Sequence, residues 1–168
     1  MREPDAGQTV RLSGWVFRKR DHGQLLFFDL RDHYGITQVV IYPDKPFFEA
    51  CQKLHLESVI TVTGLVALRS PETVNPDLPT GAIELAAAMV DVQSAADPLP
   101  LHLAGDEDGP EELRLRYRFL DLRRARMQRN IVMRSDIIAG LRKRMVAHGF
   151  HEFQTPILTS SSPEGARD

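Results

Sequence analysis

Short runs of apolar and β-forming positions, separated by polar turn residues, fill the first half of the chain. Thr9–Phe17, Gln24–Asp32, Gly35–Tyr42, Ser58–Leu68 and Ala82–Val92 are rich in β-branched and aromatic residues. His22-Gly23 and Tyr34-Gly35 supply turn signals between the first three. Each stretch predicts a strand. Between the third and fourth lies Pro46–Glu57. It opens on proline, and Phe48, Cys51, Gln52 and His55 recur at helical spacing, which predicts a helix. Five strands with one helix between the third and fourth is the order of an OB-fold barrel. Gly14 and Gly64 fall inside predicted strands, where barrel strands coil sharply. Arg69–Gly81, with three prolines, predicts a long loop between the last two strands. That loop is one of the two with which an OB-fold holds oligonucleotides.

The pattern changes after Val92. Residues 93–113 are rich in proline and acid and read as a linker. Met127, Ile131, Arg134, Ile138, Leu141 and Met145 then recur at spacings of three and four, which predicts a helix over Arg126–His148 with Gly149 as its stop. Phe150–Phe153 reads as the start of a strand, broken by Thr155-Pro156. The expected organisation is a mainly β domain over 1–92, a linker over 93–113 and the α-helical beginning of an incomplete α+β domain over 114–168. One long helix and one short strand bury too little for a complete domain.

Composition narrows the class. The chain has 168 residues, 42% of them apolar and 26% charged, with a formal net charge of −2. That balance belongs to folded globular chains rather than disordered ones. No run of about 18 apolar residues exists, which excludes a membrane-spanning helix. Met1–Arg11 lacks the apolar core of a secretory signal, so a cytoplasmic location is expected. The single cysteine, Cys51, cannot form an internal disulfide and excludes a Cys-rich zinc site. Cys51 lies on the apolar side of its predicted helix, where burial is expected. His148 and His151 straddle the helix stop, which does not suit a metal pair, and Ser160–Ser162 lack the glycine pattern of a nucleophile elbow.

Charge is more informative in its distribution. Arg114–Arg144 carries a net +9, whereas residues 1–113 carry −9. Within the acidic half, Arg11, Arg18, Lys19 and Arg20 stand together with no acid between them. Local basic clusters on a mildly acidic chain point to a polyanion gripped at chosen places; a solvated helix face is the plain alternative for the second cluster. In the second strand, Leu26, Phe28 and Leu30 share one face and Leu25, Phe27, Asp29 and Arg31 the other. The first set suits a barrel interior. The second puts a flat ring outside, beside Arg18 and Arg20. A ring for a base and cations for its phosphates make a stacking platform, worth about 1–3 kcal/mol per base. Alternatively, Phe27 covers a loop or packs on the linker. Gln38, in the third strand, both donates and accepts and is able to read a base edge, or it simply faces water.

Three blocks carry a resemblance. LSGWVFRKRDHGQLLFFDLRDHYGITQVV (Leu12–Val40) resembles the anticodon-binding domain of bacterial-type aspartyl-tRNA synthetases. RLRYRFLDLRR (Arg114–Arg124) resembles the opening of their catalytic domain, and GFHEFQTPILTSSSPEGARD (Gly149–Asp168) their class II motif 1 region and the start of a substrate loop. The blocks follow the family's order and spacing, and the ending Ser-Pro-Glu-Gly-Ala-Arg-Asp is its aspartyl form rather than the lysyl or asparaginyl one.

The resemblance implies an aspartate–tRNA ligase (class II, subclass b). Phe27 would stack on an anticodon base. Arg18, Arg20, Asp21, Gln38 and Glu84 would surround the anticodon loop, with Arg69 and Asn75 of the long loop as further candidates. His22 stands where many aspartate-only bacterial enzymes have leucine, which resembles relaxed enzymes that charge both tRNA-Asp and tRNA-Asn. Pro156 would match the motif 1 proline at a homodimer interface. Glu164 would match the glutamate that meets the ammonium group of L-aspartate, where a cation calls for a paired carboxylate. The complete enzyme would use ATP and Mg²⁺ through groups beyond motif 1. The chain is therefore expected to be an N-terminal fragment that holds tRNA, holds no metal and does not activate aspartate by itself. A free-standing OB-fold module for single-stranded nucleic acid is the alternative, and a dimerisation fragment acting through the motif 1 helix is a third possibility.

Overall fold

Five strands close into a barrel in the order β1-β2-β3-β5-β4: β1 (Thr9–Asp21), β2 (Leu26–Arg31), β3 (Ile36–Ile41), β4 (Val59–Leu68) and β5 (Ile83–Ser94). The pairings are antiparallel except β3–β5, which is parallel. The computed structural model describes residues 1–105 and 109–157, and the chain divides into two units, Met1–Asp121 and Leu122–Asp168. The interior of the barrel is filled by alternate residues of every strand: Val16; Leu26, Phe28 and Leu30; Val39 and Ile41; Ile60, Val62 and Val66; Ile83, Leu85 and Ala87. Helix α1 (Phe48–Gln52) lies between β3 and β4 and adds Phe48 and Cys51 to this core, joined by Leu54 just after it. The five-strand, one-helix order read from the sequence is the architecture observed.

Two close approaches explain the strand glycines. A Cβ on Gly14 would lie 2.4 Å from the Arg31 carbonyl oxygen, and one on Gly64 would lie 2.2 Å from that of Ala86. Neither space admits a methyl group, so both positions need glycine for contact rather than for a special φ.

The first strand runs farther than its alternation predicts. It continues through Arg18–Asp21 because a bulge interrupts its pairing with β2 between Val16 and Arg18. The extra residue, Phe17, reverses the phase of alternation. Strict alternation from Val16 would send Arg18 and Arg20 into the barrel. With the bulge they pair opposite Asp29 and Phe27 on the outer wall, and Lys19 pairs opposite the interior Phe28. Lys19 resolves its position by donating to the carbonyls of Gln52 (2.9 Å) and Leu54 (2.8 Å), at the end of α1. A cation there satisfies the carbonyl of Gln52, in the last turn of the helix, and that of Leu54 just beyond it.

The predicted helix Pro46–Glu57 shortens to Phe48–Gln52. Glu57 turns the chain into β4 with φ of 66°, a left-handed conformation that no helix continues through. The stretch read as a linker is not a free tether. Leu99, Leu101 and Leu103 lie at alternate positions and pack with Leu113, Tyr117 and Leu120 against Phe17 of the bulge. Two short helices that periodicity did not reveal follow, α2 (Glu111–Arg116) and α3 (Arg118–Asp121). Asp121 is fully buried and accepts from Arg114 Nε (3.1 Å) and Arg118 Nη1 (2.6 Å), the pairing a buried carboxylate requires.

In the second unit, α4 (Ala125–Ala147) agrees with the predicted Arg126–His148 within a residue. It ends in a Schellman motif: Gly149 (φ 85°) donates to the Val146 carbonyl and Phe150 to that of Met145. Ile131, Ile138, Leu141 and Met145 of this helix are exposed, whereas Met127 is half-buried. The predicted strand at Phe150–Phe153 is not formed. Among the described residues no segment pairs with it, so its backbone has no ladder to join, and Phe153 is 81% exposed.

Candidate nucleic-acid interface

The outer wall of β1, β2, β3 and β5 holds the chemistry that the sequence singles out. Across this wall the register sets Arg18, Asp29 and Gln38 in one row and Arg20, Phe27 and Val40 in the next. Glu84, one residue before the Val39–Leu85 pair, adjoins Gln38 from β5. The long loop after β4 closes one side. Together they enclose an open cleft of about 420 Å³ lined by Arg20, His22, Phe27, Gln38, Arg69 and Glu84. Leu25, Val40, Tyr42, Leu68, Ser70 and Thr73 complete the lining.

Phe27 is half-buried, with its ring open to this cleft. His22 meets it edge-on at 5.7 Å between ring centroids, and the Arg20 guanidinium lies 5.7 Å from its centroid. The ring is thus held on two sides, and the cation adds a favourable contact with the ring. A connected polar network runs behind it. Arg20 Nη2 donates to Asp29 Oδ1 (2.8 Å) and to Gln38 Oε1 (3.0 Å), and Gln38 Nε2 donates to Glu84 Oε2 (2.9 Å). Arg69 Nε lies 3.9 Å from the same Glu84 oxygen, close enough to attract but too far to hydrogen-bond. Among the described residues that buried Nε has no hydrogen-bond partner, so the attraction to Glu84 is what offsets its desolvation. The Gln38 amide is fixed by both ends, and one N–H and one lone pair remain for a ligand.

The other sequence candidates lie elsewhere. Arg18 is exposed on the same wall but outside the cleft, its guanidinium 5.5 Å from the centroid of Phe17. Asp21 braces the β1–β2 turn. It accepts from the Gly23 N–H (2.8 Å) and the Gln52 amide (2.9 Å), and these bonds hold its carboxyl below the ordinary range. Asn75 is turned into its own loop, where Oδ1 accepts from the Asp77 N–H (3.0 Å). Pro156 is exposed in coil within the second unit, and Glu164 lies outside the described residues.

Reasoning from sequence missed Tyr42 and Val40, although Gln38, Val40 and Tyr42 share one face by alternation. It also gave no role to Asp29, which only the register places under Arg20.

Comparison with known proteins fits this geometry. Residues 10–88 match the family described as OB-fold nucleic acid binding domain, and residues 110–168 match class II tRNA synthetases (D, K and N). Over all 168 residues the chain is 64% identical to the aspartate–tRNA(Asp/Asn) ligase of Zymomonas mobilis and 64% identical to that of Acidiphilium cryptum. Along its whole length the chain resembles these aspartate–tRNA ligases. It spans 28% of the length of those two relatives. Among solved structures, asparaginyl-tRNA synthetase from Pyrococcus horikoshii, complexed with asparaginyl-adenylate, superposes with a TM-score of 0.79 at 28% identity. That match covers 98% of this chain and 37% of the other. Aspartyl-tRNA synthetase from Entamoeba histolytica gives 0.82 at 22% identity, covering 97% and 40%, and speaks for the fold alone. The barrel, matched as an OB-fold nucleic acid binding domain, carries its conspicuous aromatic and polar cleft on the outer wall.

Proposed function

We propose that this chain is the anticodon-reading portion of an aspartate–tRNA ligase, with the barrel cleft as the seat of the anticodon loop. The observation that carries this reading is the Phe27 ring, open to the cleft and bordered by Arg20, His22 and the fixed amide of Gln38. An unpaired base stacks on such a ring, the guanidinium meets phosphate, and the amide meets a base edge. Phe27, Arg20, His22, Gln38, Glu84 and Arg69 act at the loop directly. Arg18, exposed on the same wall, meets phosphates next to it. Asp21 and Asn75 shape the two turns that border the loop.

The boundaries we assign are 1–92 for anticodon binding, 93–113 for the linker and 114–168 for the start of the catalytic domain. The names of the relatives include both tRNA-Asp and tRNA-Asn, and His22 against the edge of Phe27 supports a cleft that serves both. Pro156 belongs to a homodimer interface and Glu164 to recognition of the L-aspartate ammonium in the complete enzyme. That enzyme uses ATP and Mg²⁺. Among the described residues no three His, Cys, Asp or Glu side chains come together as a metal ion would need. Among them, too, no helix is long and apolar enough to cross a membrane.

Binding of the 168-residue chain to an RNA hairpin carrying an aspartate anticodon loop tests the reading. Tighter binding than to a hairpin of equal length with a scrambled loop is expected. Equal affinity for both would overturn it.

A further inference from the structure

We propose that Asp29 is a positioning residue for base selection: it fixes the Arg20 guanidinium and, through it, the amide of Gln38. The inference rests on the anticodon reading and adds to it a residue that does not line the cleft. Asp29 is a poor strand former in the middle of β2, on the outer wall, yet it is buried to 7% exposure. A carboxylate removed from water needs a partner, and Asp29 has one in Arg20 Nη2 at 2.8 Å. Its register position is central. Arg18 pairs opposite it on β1 and Gln38 on β3.

The consequence follows from counting donors. Guanidinium has five N–H groups, two of them on Nη2. Those two go to Asp29 and to Gln38 (3.0 Å), so Nη2 is fully engaged and the remaining three N–H groups stay available to a ligand. The bond to Asp29 sets the plane in which they point. It also sets which atom of Gln38 faces Arg20. With Oε1 committed to Arg20 and Nε2 to Glu84, the amide has one orientation in which to meet a base. Without Asp29, Arg20 keeps its charge and its 48% exposed side chain gains freedom. It still attracts phosphate but no longer dictates the direction of the amide.

Charge and position make opposite demands, and this separates the role from a structural one. Removing a carboxylate beside a cation strengthens attraction to any phosphate chain. Removing a positioning group weakens only the correct loop. The experiment compares wild type with Asp29→Asn in the 168-residue chain. The dissociation constant is measured for the aspartate anticodon hairpin and for the scrambled-loop hairpin at two salt concentrations, alongside thermal unfolding. The variant is expected to lose about tenfold in the ratio of the two affinities, with scrambled-loop binding unchanged or tighter.

A retained ratio would overturn the positioning role. So would a parallel loss of both affinities, which would make Asp29 a stability residue only. If wild type itself shows no preference between the hairpins, the anticodon reading fails and this inference with it. Should Asp29→Asn not fold, Arg20→Lys examines the same contact from the other side. It keeps the charge but cannot span Asp29 and Gln38 in one plane, so the ratio falls while the salt dependence stays. An unchanged ratio in that variant would refute the inference equally.

Discussion

Three consecutive basic residues, Arg18, Lys19 and Arg20, have separable roles because of one bulged residue. Lys19 is the structural member. Replacing it by methionine keeps the stem but removes both of its hydrogen bonds, to Gln52 O and Leu54 O. A hydrogen bond to a charged group contributes about 1.5–3 kcal/mol when buried. Lys19 is partly buried and water can replace part of each contact, so about 2 kcal/mol for the pair is the reasonable figure. With a urea m-value of about 1.5 kcal/mol per molar, the unfolding midpoint should fall by about 1 M. Trp15, the single tryptophan, lies in β1 and reports the barrel unit. Fluorescence of Trp15 in urea measures the loss, and hairpin binding at a temperature where the variant is folded measures the rest. Lys19→Met is expected to lose stability and keep RNA affinity within about twofold, whereas Arg20→Met should lose affinity. If Lys19→Met keeps its stability and loses RNA binding, Lys19 faces outward and the bulge does not divide the run.

Two more outcomes follow from the barrel's titratable groups. The Cys51 thiol is buried in the core, and burial pushes its pKa up to about 11. It should resist a thiol reagent at pH 8 in the native chain and react promptly in denaturant; rapid native labelling would place it at the surface. The Asp21 carboxyl, held low first by the Gly23 N–H and then by the Gln52 amide, adds stability that is complete above its unfolded value near 3.8 and is lost as pH falls through the lower folded value. The gap in thermal midpoint between wild type and Asp21→Asn should therefore be widest near neutral pH and shrink in acid, below the unfolded value of 3.8. A gap that grows in acid would reverse the sign.

The barrel was legible because its physics is local. Five β-rich stretches, two turn signals and a helix between the third and fourth stretches define its order, and that order survives in the structure with the helix shortened to Phe48–Gln52. The outward placement of Phe27 was equally legible, since Leu26, Phe28 and Leu30 had to fill the interior. What remained hidden depends on pairing. No local signal announces that Phe17 is an extra residue, yet that bulge alone puts Arg18 and Arg20 on the wall with Phe27. Asp29 shows its partner only through a register spanning three strands. The docking of Leu99, Leu101 and Leu103 was visible as an alternating triplet inside a segment whose prolines and acids suggested a tether. The strand read at Phe150–Phe153 had the right composition, but a strand is a property of a pair.

The most direct test of the cleft is Phe27→Ala, measured as the dissociation constant for the aspartate anticodon hairpin. Loss of one base-stacking ring should weaken binding roughly 5- to 150-fold. The Trp15-monitored unfolding should change little, because the ring lies on the outer wall and contributes nothing to the interior cluster. Undiminished affinity in a folded variant would mean that the ring only covers the barrel, and that RNA, if held at all, is held elsewhere.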